Sequence, residues 1–131
     1  MNLYHGYSIG TKQESYDWIL LDENKLVKMN ELSKTSIHRQ DKNLKVILEE
    51  GDLFFCISKE LENDEELTFE TENMSLSIRG TCGLVRHHHG TTFVAILEGG
   101  ADVRNAQTTF YLFEGQAIFF YNDTYYFSTV Y

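Results

Sequence analysis

Apolar and polar residues alternate along most of the chain in short runs, a period of two that is typical of β-strands. Few windows show the i, i+3, i+4, i+7 spacing of an amphipathic helix. Glycine, asparagine and aspartate separate the runs at intervals of roughly 8–12 residues. We therefore predict strands in the runs YDWILLD, KLVKMN, TSIHRQ, LKVILEE, DLFFCIS, ELTFETE, MSLSIRG, GLVRH, TTFVAILE, ADVRN, TFYLFE, AIFFYN and YYFSTVY.

The spacing of these runs favours an all-β fold over alternating strand and helix units. Proline is absent and no Ser/Gly-rich stretch interrupts the chain, so residues 1–131 are predicted to form a single all-β domain. The expected architecture consists of short, mostly antiparallel strands. They form either a two-layer sandwich or a β-roll or solenoid-like arrangement.

Three segments repeat the order of a strand, an acidic residue, a glycine and a second strand. They are LEEGDLFF, LEGGADV and FEGQAIFF. Each glycine is predicted to supply the positive φ of a tight connection between two strands.

The composition indicates a folded domain and limits its partners. The 42% hydrophobic and 14% aromatic residues suit strands, and a formal net charge of −9 repels phosphate backbones and anionic membrane surfaces. No run reaches the 18 or more apolar residues of a spanning helix, and MNLYHGYSIGTKQES lacks the features of a signal peptide. We expect no nucleic-acid partner, no membrane span and no export signal.

The sequence leaves two possible states for the cysteines Cys56 and Cys82. Free thiols are the expectation for a chain without an export signal. If the cysteines occupy neighbouring strands, they can instead pair in an oxidising compartment.

The segment ETENMSLSIRGTCGLV resembles the central signature of FecR-like domains. In that family, a strand ending in threonine and small residues leads into an alternating strand, then Arg-Gly-Thr, then a further strand. The matching residues are Thr71, Met74, Leu76, Ile78, Arg79, Gly80 and Thr81. The flanking segments LEEGDLFFCISKEL, GTTFVAILEGGADVRN and FYLFEGQAIFF also resemble the family's pattern, so the FecR-like region covers about residues 44–120.

The resemblance implies an isolated FecR-like module of bacterial surface and envelope proteins, without the transmembrane helix or the sigma-regulator segment of FecR proteins proper. Its expected function is non-enzymatic: a regulatory or interaction module in signalling that binds a protein or cell-envelope component and needs no cofactor. The family setting is extracytoplasmic or at the cell surface, although no signal peptide is visible here.

Arg79, Gly80 and Thr81 make physical sense as a structural motif. Gly80 permits a bend that a Cβ would hinder, and Thr81 can hydrogen-bond the backbone that the bend releases. Arg79 offers five donors for carbonyls at a corner or for a carboxylate such as Glu98. No nucleophile and base are identifiable around it, so we predict no catalytic residues.

The histidines give the alternative function. On an extended strand His87 and His89 would project to one face, as in the metal-binding His-x-His pair of a cupin. The alternative is therefore a cupin-like sensor or enzyme that binds a small molecule or a metal through His87 and His89. However, Phe93 and Val94 occupy the positions where a cupin carries its glutamate, and no histidine follows His89. The favoured reading of RHHHG is a polar hairpin tip that Gly90 ends. His5 and His38 are expected to be exposed or satisfied core histidines.

The C-terminal run AIFFYNDTYYFSTVY is apolar on both faces. Ile118 and Phe120 share one face, and Phe119 and Tyr121 share the other. A hairpin turn is predicted at Asn122 and Asp123. Beyond it, Tyr125 and Tyr126 are candidate residues for binding a partner or a ligand.

Overall fold

The structure is a computed structural model that describes residues 7–10, 17–22, 25–29, 33–40, 43–57, 66–121 and 124–129. At residues 7–10, 17–22, 25–26, 29, 40 and 79 it describes the backbone alone. His5 and the turn residues 122–123 lie outside the described residues.

Every regular element in the described residues is a β-strand, as the alternating pattern predicts. The strands are β1 (Tyr7–Gly10), β2 (Asp17–Asp22), β3 (Lys25–Met29), β4 (Lys34–Gln40), β5 (Asn43–Ile57), β6 (Glu66–Glu70), β7 (Ser75–His88), β8 (Thr91–Arg104), β9 (Thr109–Phe113), β10 (Gln116–Tyr121) and β11 (Thr124–Thr129). Among these strands, β5 and β6 pair in parallel and the other pairings are antiparallel. The all-β prediction with mostly antiparallel strands is therefore confirmed.

Three of the strands, β5, β7 and β8, are 14 or 15 residues long, and each joins two runs that the sequence separates. The junctions fall at Gly51, Gly80 and Gly99, all with positive φ. At each junction the inward-facing positions change from even to odd numbers, as from Leu48 to Leu53 in β5. A left-handed residue therefore lets a continuous strand bend while it keeps its apolar side chains facing inward.

The predicted tight connections are thus only partly correct. Gly51, Gly99 and Gly115 have φ values of 114°, 83° and 86°, so the positive φ is confirmed. Only Gly115 lies in a turn between two strands, β9 and β10. Gly51 and Gly99 lie inside strands, because the chain continues in the same ladder after the bend instead of reversing.

The bends divide one hydrogen-bonded sheet of eleven strands into two layers. The first layer runs in the order β1, β4, the first half of β5, β6, the first half of β7, the second half of β8, and β9. The second layer runs in the order β2, β3, the second half of β5, the second half of β7, the first half of β8, β10 and β11.

The two layers enclose one apolar core. Leu76 and Val103 of the first layer and Leu53 and Val94 of the second layer have no exposed surface. The rings of Phe55 and Phe69 stack across the layers with centroids 4.4 Å apart. Burial of apolar side chains on both inner faces holds the bent sheet together.

The structure contradicts the expectation that both cysteines are free thiols. Cys56 and Cys82 lie directly opposite each other on β5 and β7, with Cα atoms 4.0 Å apart, and they form a disulfide bond. Neighbouring positions on antiparallel strands bring two cysteine side chains within bonding distance. This register could not be read from the sequence separation alone.

Candidate functional site

The Arg79-Gly80-Thr81 segment lies at the bend of β7. Arg79 pairs with Gly100 and Cys82 pairs with Glu98, so Gly80 and Thr81 together oppose only Gly99 of β8. This is a β-bulge, with an extra residue on one strand. Gly80 has a φ of 52°. The side chain of Arg79 lies outside the described residues.

Close packing fills the space around this bulge. Thr81 is fully buried, and its Oγ1 donates a hydrogen bond to the carbonyl oxygen of Gly100 at 2.7 Å. A Cβ atom on Gly99 would lie 2.6 Å from the carbonyl oxygen of Gly80. The two bent strands therefore touch through their backbones, which leaves no room there for a ligand.

The histidines occupy the hairpin between β7 and β8. His89 and Gly90 form the turn, both with positive φ, at 51° and 79°. This agrees with the predicted hairpin tip. His89 is exposed and His87 is buried, so they do not share one strand face as a metal-binding pair would. The described residues include no group of three or more His, Cys, Asp or Glu that could hold a metal ion.

Hydrogen bonds hold the buried His87 in place. Thr92 Oγ1 donates to Asn73 Oδ1 at 2.7 Å, and the Nδ1 atom of His87 lies 2.8 Å from the same Thr92 oxygen. Because Thr92 has only one hydrogen to donate, Nδ1 of His87 must carry the proton of its hydrogen bond. The other ring nitrogen, Nε2, lies 3.4 Å from Glu72 Oε1. His87 thus fixes the 71–74 segment against the hairpin.

His88 belongs to a separate polar group on the outer surface. Its Nε2 lies 3.0 Å from Asp52 Oδ1, and the Nε of Arg86 donates to the same oxygen at 2.9 Å. Burial of the Asp52 carboxyl opposes its ionisation, but hydrogen bonds and positive charge from Arg86 and His88 hold its pKa below the ordinary value of 3.8. Asp52 is therefore an ionised partner of Arg86 and His88, which is a structural role.

The C-terminal strands carry aromatic side chains on both faces, as predicted. Ile118 and Phe120 point into the core and are at most 1% exposed, while Tyr121 is 51% exposed on the outer face. The hairpin between β10 and β11 is confirmed by the pairing of Tyr121 with Thr124.

An aromatic row crosses the outer face of the second layer. Phe93 of β8, Phe119 of β10 and Tyr126 of β11 are cross-strand neighbours. The Phe93 and Phe119 centroids are 4.6 Å apart, and Phe119 stacks on Tyr126 at 5.2 Å. Tyr121 points to the same side. We call Phe93, Phe119, Tyr121 and Tyr126 the outer aromatic face.

The predicted pair Tyr125 and Tyr126 is therefore divided between two faces of β11. Tyr125 packs on Phe110 of β9 at 4.5 Å, on the side that faces the first layer. Tyr126 is 55% exposed and Tyr125 is 39% exposed. Phe93 could not be identified from the sequence as a candidate residue, because its neighbours across the ladder depend on the register of three strands.

Four neighbouring strand segments carry no charged side chain. The described segments Thr91–Leu97, Thr109–Phe113, Gln116–Tyr121 and Thr124–Thr129 contain no charged residue, although 24% of the chain is charged. The exposed aromatic residues here are Tyr111, Phe113, Tyr121, Tyr125, Tyr126 and Phe127.

No helix with the length and apolar character of a membrane span occurs in the part of the chain that the structure describes. No curated protein matches the sequence.

Two solved structures share the fold. Each is described as a "putative anti-sigma factor" from Parabacteroides distasonis, one at 2.50 Å and the other at 1.65 Å resolution. The TM-scores are 0.82 and 0.79, with sequence identities of 13% and 14%. The matches cover 95% and 94% of this chain but only 60% and 59% of those proteins.

The family comparison extends the resemblance seen in the signature segment. The family model described as FecR protein matches residues 7–102. This range contains the β7 bulge and most of both layers, and it begins well before the region of about residues 44–120 suggested by the motifs alone. The chain belongs to the FecR protein family.

Proposed function

We propose that the protein is a non-enzymatic regulatory module in signal transduction, which acts by binding another protein. The observation that carries this proposal is the FecR family match over residues 7–102. The fold shared with two proteins described as anti-sigma factors supports the same role. The chain covers about 60% of those proteins, so their description supports a regulatory role for this chain and does not name its partner.

The geometry at the signature segment supports binding elsewhere rather than chemistry at the motif. The β7 bulge is filled by backbone and by buried Thr81. Both cysteines form the disulfide, and the ring nitrogens of His87 and His88 are engaged by Thr92, Glu72 and acidic neighbours on β5. We propose that the Arg79-Gly80-Thr81 motif bends the sheet and leaves its outer surfaces for docking.

The outer aromatic face is the proposed docking surface. Its rings pack on one another, as Phe119 does on Tyr126, so this packing covers part of their faces. Sugars bind aromatic residues by lying on exposed ring faces, whereas protein side chains pack against edges and faces alike. The absence of charge favours a partner with an uncharged, apolar patch.

The disulfide bond supports an extracytoplasmic setting for this contact. Cys56 and Cys82 are paired, and such bonds persist in oxidising compartments. The partner is accordingly proposed to be a protein or envelope component that is accessible outside the cytoplasm.

Photo-cross-linking in the native host tests the docking surface. Tyr121 and Tyr111 are both 51% exposed, but Tyr121 lies on the outer aromatic face and Tyr111 lies on β9 in the other layer. A photoreactive phenylalanine analogue is placed at each position in turn, and adducts are identified by mass spectrometry. We expect one protein to be cross-linked from position 121 and not from position 111. Equal adducts from both positions, or none from position 121, would contradict the proposed surface.

A further inference from the structure

The edge of the second layer is formed by β11. Among the described strands, β11 pairs only with β10, so no described strand pairs with the other side of Thr124–Ser128. All six of its residues are exposed. An edge of this kind is a template for pairing with a further strand.

This edge lacks the features that usually prevent such pairing. Soluble proteins protect their edge strands with charged residues, proline or β-bulges. The segment TYYFST contains no charged residue or proline, and its pairing with β10 is continuous from Gln116 to Tyr121 without a bulge. The edge is therefore suited to be covered by another strand.

The sequence of β11 matches itself in an antiparallel arrangement. With a two-fold axis at residue 126, Tyr126 would lie opposite Tyr126 of a second copy, Tyr125 opposite Phe127, and Thr124 opposite Ser128. Aromatic residues would then face aromatic residues, and hydroxyl residues would face hydroxyl residues, which are favourable cross-strand pairs. An axis at residue 127 would instead place Tyr126 opposite Ser128 and Tyr125 opposite Thr129.

The aromatic row supports the same register. Phe93, Phe119 and Tyr126 form a continuous row, which ends at the edge strand with the ring of Tyr126. A second copy related at residue 126 would extend this row across the interface with the same three residues in reverse order.

The strand segments nearest this edge carry no charged residue, although the net charge of each chain is −9. In this layer β10, β11 and the Thr91–Leu97 part of β8 are uncharged, and the nearest charged strand is β7, three strand spacings back. Glu114 and Asp123 precede and follow β10 in the sequence. Three spacings amount to about 14 Å, which exceeds the Debye length of about 8 Å at physiological salt. A partner that bound through charge would find none on these strand segments, whereas a second copy offers the same uncharged, aromatic strand.

We propose that β11 pairs antiparallel with β11 of a second copy of this chain, with the two-fold axis at Tyr126, and so joins two second layers into one continuous sheet. The side chains of Tyr125, Tyr126 and Phe127 are 39%, 55% and 52% exposed. Together they offer roughly 300 Å² per copy, against about 800 Å² for a stable interface, so the dimer is weak and reversible. This inference concerns the purified chain alone and is independent of the proposed regulatory partner.

Sedimentation equilibrium of the purified chain tests the dimer. The mass of wild type is expected to rise from 15.2 kDa toward twice that value with concentration, and to rise more readily at high salt, where repulsion is screened. Tyr126→Lys places a charge at the centre of the edge and should remain monomeric. Tyr111→Lys, with the same change at a matched exposed tyrosine on β9, should dimerise like wild type.

Ser128→Lys charges the same edge without removing a ring, and it replaces Tyr126→Lys in this test if Tyr126→Lys does not fold.

The register is tested by cysteine substitution under mild oxidation. Tyr126→Cys should form a disulfide-linked dimer, because only residue 126 lies opposite itself, whereas Tyr125→Cys should not. A wild-type chain that stays monomeric at high micromolar concentration, or edge variants that dimerise like wild type, would overturn the proposal.

Discussion

The hydroxyl of Thr81 donates a hydrogen bond to the carbonyl oxygen of Gly100, 2.7 Å away, across the point where β7 and β8 bend together. Thr81 is fully buried. The bond crosses between the two strands at the break in their ladder. The Arg-Gly-Thr motif therefore places its glycine and its threonine in complementary roles, one to bend the strand and one to close the bend.

Replacing Thr81 with valine tests the second role. The side chain keeps its shape but loses the hydroxyl, so the carbonyl of Gly100 loses its buried donor. We expect the free energy of unfolding to fall by about 1–3 kcal/mol in urea denaturation. Thr109→Val, at an exposed position of β9, is the control and should change stability by less than about 0.5 kcal/mol. Equal effects of the two changes would contradict this role of Thr81.

The glycine of the facing bend is tested by comparing two substitutions. Gly99 and Gly90 have similar φ values, 83° and 79°, so alanine is strained at both positions. A Cβ at Gly99 would meet the Gly80 carbonyl at 2.6 Å, whereas at Gly90 the nearest atom lies at 3.9 Å. We expect Gly90→Ala to cost about 1 kcal/mol and Gly99→Ala to cost about 3 kcal/mol or more. Similar losses would show that the two bends do not touch as described.

The disulfide bond predicts the thiol content and the stability of the oxidised protein. Ellman titration in denaturant should find no free thiol before reduction and two after it, since Cys56 and Cys82 are the two cysteines of the chain. The bond closes a loop of 26 residues, so reduction should lower the free energy of unfolding by roughly 3 kcal/mol. A Cys56→Ala/Cys82→Ala variant should match the reduced protein and be insensitive to reductant. Two titratable thiols in the air-oxidised protein would contradict the pairing.

The lowered pKa of Asp52 predicts that the free energy of unfolding depends on pH in the acidic range. Its pKa in the folded state lies below the ordinary value of 3.8, because the hydrogen bonds to Arg86 and His88 outweigh the effect of burial. The folded protein thus binds this proton less readily than the unfolded chain does. The stabilisation is present above about pH 4 and is lost as pH falls through the lowered pKa.

Replacing Asp52 with asparagine should therefore reduce the free energy of unfolding at neutral pH and flatten its decline below about pH 4. Asp102→Asn, which removes a negative charge from an exposed position of β8, is the control. Urea denaturation at a series of pH values provides the measurement. An acid decline in Asp52→Asn as steep as that of wild type would contradict the contribution of this carboxyl.

The sequence carries enough information for the strands but not for their continuity. Among the eleven strands that the structure describes, apolar alternation identifies ten in part or whole and misses β1. Alternation also breaks at Gly51, Gly80 and Gly99, which can mark either the end of a strand or a bend within it. The choice depends on whether the neighbouring strand bends at the same level, as β8 does beside Gly80, and a single sequence does not contain that pairing.

The candidate site was predictable only in part for a related reason. The apolar faces of β10 and the hairpin at His89 follow from local pattern and turn chemistry. In contrast, the row from Phe93 to Tyr126 and the pairing of Cys56 with Cys82 require the register of strands far apart in the sequence. A shift of one residue would have put each of these side chains on the opposite face.

The most direct test of the central claim, that the protein acts in signalling by docking through its outer aromatic face, is a transcript measurement in the native host. A deletion strain is complemented with wild type, Tyr121→Lys or Tyr111→Lys. The amount of folded protein is checked for each. Deletion is predicted to change the levels of a set of transcripts whose promoters share a sequence motif. Wild type and Tyr111→Lys should restore the levels of these transcripts, whereas Tyr121→Lys should not. Full restoration by Tyr121→Lys, or an unchanged transcript profile in the deletion strain, would contradict the account.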